Sequence, residues 1–168
     1  VSAVDRENST HLNADRQGRE VVTRRILDMS REELKECLRN PDHDNMKLFT
    51  FILERTAEVG KRGRYNPSFA SKFCHYACFY VFEGTEWQDN YSIFDNVLKA
   101  VLPLYLKKFK LKNGTKNYTQ KDLENYETYR NAIDALREEA PEEISRNGLD
   151  HLLWYFHKGR LDDKSYKD

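Results

Sequence analysis

An all-α fold, a single compact domain of six to eight helices, is what this sequence predicts. Apolar residues recur at helical spacing along most of the chain, and Pro, Gly and capping residues bracket those stretches. Alternating β-type runs are nearly absent. A length of 168 residues suits one domain. Apolar residues reach only 39%, but a 12% aromatic share supplies large side chains for a core.

Residues 1–18 are polar and aperiodic, and are expected to form a flexible N-terminal segment. The helical domain is expected over 19–161, with a polar tail over 162–168. In REVVTRRILDM, Val21, Val22, Arg25 and Ile26 fall near helical spacing. Ser30 with Glu33 forms a capping box that starts a helix through about Leu38, and Asn40-Pro41 ends it. Asp44 is expected to cap NMKLFTFILERTAEV, with Leu48, Phe51, Ile52 and Val59 on one face and Gly60 as its stop. After the basic turn GKRGRYN, Pro67 opens a helix to about Phe82 that is apolar nearly all round and therefore central. The loop EGTEWQDNY leads to a helix from Asp95 to about Lys110, interrupted by Pro103. KNGTKNY is a loop. Thr119 with Asp122 starts a polar helix through about Glu139, and Pro141 marks its end. The closing GLDHLLWYFHKGR places Leu149, Leu152, Leu153 and Phe156 on a last helix, stopped by Gly159.

Composition narrows the function. Charged residues make up 33% of the chain and cancel to a net charge of zero, so no global field steers it to nucleic acid or lipid. Any basic surface is local. The apolar runs are short and broken by charges, so no membrane span is expected, and the opening VSAVDREN has no apolar targeting core. A cytoplasmic chain is the expectation. Cys37, Cys74 and Cys78 form no CxxC pair and are read as reduced, buried thiols. Cys74 and Cys78 share a helix face beside His75, but a zinc site needs ligands from a second cluster that the chain lacks, so no metal or cofactor is expected. P-loop, GxSxG and HExxH signatures are absent.

The stretch Asn66–Leu106 carries the best lead. It predicts Lys72 in the first turn of the apolar helix and Asp95 at the start of the next. Asp95 reads as an N-cap, worth roughly 1 kcal/mol, and Lys72 as the polar gap of a core helix with its stem buried. Both roles are compatible with a shared cleft, because a carboxylate at a helix start points outward.

The pattern S-F-A-S-K-F-x-H-Y followed by Y-S-I-F-D-N-x-L resembles the core of bacterial proteins similar to the 8-oxoguanine glycosylase branch of the helix-hairpin-helix DNA glycosylases. The closing LDHLLWYFHKGR resembles their ends, and the resemblance covers about residues 44–160. It implies a helix-hairpin-helix glycosylase-like fold, DNA as partner, Lys72 as the nucleophile that forms a Schiff base, and Asp95 as the stabiliser of an oxocarbenium-like sugar. It also implies that Lys61, Arg62 and Arg64 hold phosphates, and that Tyr65, Phe69, Phe73, Tyr76 and Trp87 line a pocket for the extruded base. One departure is plain. The hairpin glycines of that superfamily are replaced by Gly63-Arg64-Tyr65-Asn66-Pro67-Ser68, in which Pro67 has no amide hydrogen and Tyr65 obstructs close approach of a backbone phosphate.

Two other readings stand beside it. Arg146-Asn147-Gly148-Leu149-Asp150-His151 resembles the R-N-x-x-x-H signature of the HEPN ribonucleases, with His151 as general base and Arg146 on the phosphate. The same string also reads as a plain helix entry, with Gly148 in the turn and Asp150 in the first turn. The other alternative is a non-catalytic helical module that binds a protein partner, in phage defence or its evasion.

Overall fold

The computed structural model describes residues 1–7, 12, 16–42 and 46–158. Its described residues form eight α-helices and one two-stranded hairpin, so the all-α reading and the helix count hold. The chain divides into two compact units, residues 1–93 and 94–168.

The first unit holds α1 (Ser2–Glu7), α2 (Arg16–Ile26), α3 (Arg31–Arg39), α4 (Lys47–Val59) and α5 (Pro67–Val81). The α4 helix packs on α5 and α2, while α1 and α3 also rest on α5. As its all-round apolar sequence predicts, α5 lies at the centre. Val22, Leu38, Leu48, Ile52, Phe69 and Tyr91 are fully buried in this core. Ser30 caps α3 as expected, its hydroxyl accepting from the Glu33 amide at 3.1 Å. The α1 helix falls inside the 1–18 stretch expected to be loose, and its packing on α5 supplies what its polar sequence lacks. Asp44 lies outside the described residues. The cap position of α4 is Met46, held in a left-handed conformation (φ 58°) with its side chain buried. Gly60 ends α4, yet its φ is −68° rather than left-handed. Its role is steric: a Cβ there would clash with the Arg64 carbonyl oxygen.

The second unit holds α6 (Asn96–Lys108), strands β1 (Lys112–Asn113) and β2 (Lys116–Asn117), α7 (Tyr126–Glu138) and α8 (Arg146–His157). The three helices pack against one another around Leu98, Val101, Leu102, Leu106, Leu123 and Ile133. The loop expected at 112–118 is a short antiparallel hairpin turning at Gly114, whose φ of 62° favours glycine. Thr119 and Asp122 do pair, with Asp122 Oδ2 accepting from the Thr119 amide at 2.8 Å, but they close a separate 3-10 turn over Asp122–Glu124. The α7 helix starts later, where Asn125 Oδ1 accepts from the Thr128 amide at 2.9 Å. Pro103 sits within α6 without ending it. Gly159 and the tail over 162–168 lie outside the described residues. No described helix is long and apolar enough to cross a membrane.

Candidate functional site

Asn66 and Pro67 decide where Lys72 falls. Asn66 Oδ1 caps α5 by accepting from the Phe69 amide at 2.9 Å, and the Asn66 amide donates to the buried Thr56 hydroxyl at 2.8 Å. With Pro67 as first residue, Lys72 stands in the second turn and not the first. The positive end of a helix acts mainly within its first turn, so it bears less on Lys72 here than it would at the predicted first-turn position. The residue is half-buried, amid the fully buried Ala70, Ser71 and Cys74.

Asp95 caps α6 as expected: Oδ1 accepts from the Val97 amide at 2.7 Å. Its side chain is half-buried, and Oδ2 has no hydrogen-bond partner among the described residues. Behind it, Phe94 meets the buried Tyr129 ring edge to face at 5.0 Å. Burial pushes the Tyr129 hydroxyl well above its ordinary value, and the nearby Asp150, Tyr126 and Asp95 reinforce this.

The turn between α4 and α5 is tight. Arg62 (φ 61°) and Gly63 (φ 71°) are both left-handed, and the Gly63 amide donates to the Gly60 carbonyl at 3.0 Å. Arg62, Arg64 and Tyr65 are exposed, and among the described residues neither arginine has a carboxylate partner. The side chain of Lys61 lies outside the described part of the structure.

The aromatic candidates scatter. Phe69 is fully buried core, and Phe73 is half-buried 6.2 Å from it. Tyr76 is half-buried edge-on to His75 at 5.2 Å. Trp87 is covered on one face by the Arg39 guanidinium, 4.7 Å from the ring, and meets Phe82 at 5.6 Å. Tyr65 makes no ring contact with any of them among the described residues. Around them runs a structural network that the sequence did not announce. His75 Nδ1 donates to the Tyr91 carbonyl (2.8 Å), the Tyr91 hydroxyl donates to the Cys37 carbonyl (2.9 Å), and Asn90 Nδ2 reaches the Leu38 and Arg39 carbonyls. The bonds from Tyr91 and Asn90 satisfy carbonyls at the end of α3 that its own helix leaves open.

Cys37, Cys74 and Cys78 are buried and reduced, as read from their spacing. Burial, then the neighbouring Cys78 and Cys37, push the Cys74 thiol well above its ordinary range. No group of three metal-ligating side chains forms among the described residues.

Arg146 and His151 both lie on α8, but a separation of five residues puts them about 140° apart around the helix. Arg146 spends its fork on Asp134, with Nε to Oδ1 at 2.7 Å and Nη2 to Oδ2 at 2.8 Å, and Arg137 Nη1 reaches the same Oδ1 at 3.0 Å. His151 is exposed beside Tyr155. Gly148 belongs to the helix rather than the turn before it, its amide donating to the Ser145 cap at 2.9 Å, and Asp150 is buried in the second turn.

The sequence reading missed a groove in the second unit. Tyr105 of α6 and Phe109 just past its end, Leu136 of α7, Glu139, Ala140 and Pro141 beyond it, and Leu149, Leu152, Leu153 and Phe156 of α8 line it. Its volume is about 270 Å³. The signal lay in the last helix: Leu149 and Leu153 are buried, but Leu152 and Phe156 remain 59% and 50% exposed, so its apolar residues are only partly used for packing.

Comparison of the chain with family models, with curated proteins and with solved structures finds no match.

Proposed function

We propose that the protein engages DNA through the α4–α5 turn and acts as a base-excision glycosylase with lyase chemistry, using Lys72 and Asp95. The observation that carries this reading is the Asp95 carboxylate at the head of α6, with Oδ1 held by a backbone amide and Oδ2 left for charge developing beside it. A carboxylate fixed in this way needs no reorganisation as an oxocarbenium-like sugar forms. The exposed Arg62 and Arg64, with no carboxylate partners among the described residues, add to it as phosphate contacts. In the reaction, the target nucleotide leaves the duplex, Lys72 Nζ bonds to the anomeric carbon as the base departs, and loss of a proton from nitrogen with ring opening leaves a Schiff base.

Borohydride trapping on duplexes carrying an abasic site or 8-oxoguanine tests it. The wild-type chain should be captured covalently, Lys72→Ala should give no adduct, and Asp95→Asn should slow base release by about 10²-fold or more. No adduct on either duplex, with the wild type folded, overturns the lyase assignment. RNA cleavage that depends on His151 would replace it with the ribonuclease reading.

A further inference from the structure

We infer that the β1–β2 hairpin is a second DNA contact, a ribbon that enters the major groove of a duplex with Lys112 and Lys116 on the flanking phosphates. It shares its partner with the DNA reading above but no residue, and it does not depend on the glycosylase chemistry. Every residue from Lys112 to Asn117 is exposed. From Tyr105 to Lys121 the chain holds six lysines and no acid. All six are exposed, and among the described residues none is ion-paired. The next acid along the chain, Asp122, feels Lys116 and Lys121, but its carboxylate is held first by the Thr119 hydroxyl and amide. Lys110 fixes where the ribbon leaves the helix. Its left-handed backbone (φ 59°) closes α6 as the Leu111 amide donates to the Leu106 carbonyl at 2.8 Å.

The strand register selects the partner. Lys112 stands opposite Asn117 and Asn113 opposite Lys116, so each face of the ribbon carries one lysine and one asparagine. A flat bilayer meets one face only, and the Gly114-Thr115 tip offers it nothing apolar. A groove walled by phosphates meets both faces at once. The major groove of B-form DNA is about 12 Å wide and 8.5 Å deep, and it admits a two-stranded ribbon. Strands about 4.8 Å apart fit that width, and a rise of about 3.3 Å per residue carries the turn most of the way to that depth. The lysines then hold backbone phosphates, and the asparagine on either face has the amide that pairs with an adenine edge. The major groove of A-form RNA is too narrow for side chains to enter, which leaves DNA.

The test titrates the full chain with four probes: a mixed-sequence DNA duplex, the same duplex in RNA, polyglutamate and phosphatidylserine vesicles. The DNA should bind about tenfold or more tighter than the other three. Lys112→Ala with Lys116→Ala should weaken DNA binding about tenfold and make the salt slope shallower by about 2. The melting temperature should stay unchanged, since both side chains are exposed. Gly114→Val keeps every charge but strains a backbone held at φ 62°, so by distorting the ribbon it should weaken DNA binding to a similar degree. Unchanged DNA binding in either variant overturns the proposal, as does RNA, polyglutamate or lipid held as tightly as DNA. The glycosylase reading fails separately. No borohydride adduct, with DNA binding that still depends on the lysine pair, removes the lyase assignment alone; an adduct from a chain indifferent to that pair removes the ribbon alone.

Discussion

Asn66, Gly60 and Asp95 each do one local job that a single substitution exposes. Asn66→Ala removes the cap of α5 and should destabilise the chain by about 1 kcal/mol in urea unfolding, with the m-value unchanged. Gly60→Ala should cost more than that, since its methyl group meets the Arg64 carbonyl and the backbone must move. The thiols give a second readout. Buried Cys37, Cys74 and Cys78 should react with a thiol reagent at pH 8 only after denaturation, and rapid labelling of the native chain would contradict their burial. Folded-state values raised above the ordinary 9.0 for Cys74 and 10.0 for Tyr129 mean that the unfolded chain gives up these protons first. Their contribution to stability is therefore complete below about pH 9 and declines as pH climbs through 9 and 10. Alkaline unfolding should begin there, and Tyr129→Phe should flatten its upper part.

At the scale of elements, α8 shows how far periodicity can be trusted. The sequence places Leu149, Leu152, Leu153 and Phe156 on one last helix, and the structure buries Leu149, Asp150, Leu153 and His157 of that helix. His157 is held in the interior with its Nε2 and the Tyr105 hydroxyl 2.8 Å apart. Leu153→Ala should cost about 2–5 kcal/mol and Leu152→Ala less than about 0.5, a contrast that thermal unfolding of the two variants measures directly. Similar unfolding of both would place α8 in another rotation. The start of α8 depends on Asp134, which gathers Arg146 and Arg137. These groups are only part-buried, so Asp134→Ala should destabilise by about 1–2 kcal/mol, while His151→Ala should leave stability unchanged. The string Arg146–His151 was legible as a motif. That its arginine serves as a clasp was not, because the partner lies twelve positions upstream on α7.

For the molecule as a whole, a net charge of zero caps how strongly any nucleic acid is held. If Lys61, Arg62 and Arg64 alone make the phosphate contacts, log affinity against log salt should have a slope near −3 or shallower, and Arg62→Ala with Arg64→Ala should bring it close to −1. A much steeper slope would require a basic surface elsewhere. The residues themselves determined the helical class and the helix ends set by Ser30, Pro67 and Asp95, because caps and helical periodicity depend on neighbours a few positions away. They also determined the reduced state of the thiols. Packing alone decided that Phe69 is core, that Arg39 covers Trp87, that α1 rests on α5, and that α8 turns Leu152 and Phe156 toward water. Each of those outcomes depends on side chains brought together from distant parts of the chain, and local spacing holds no record of them.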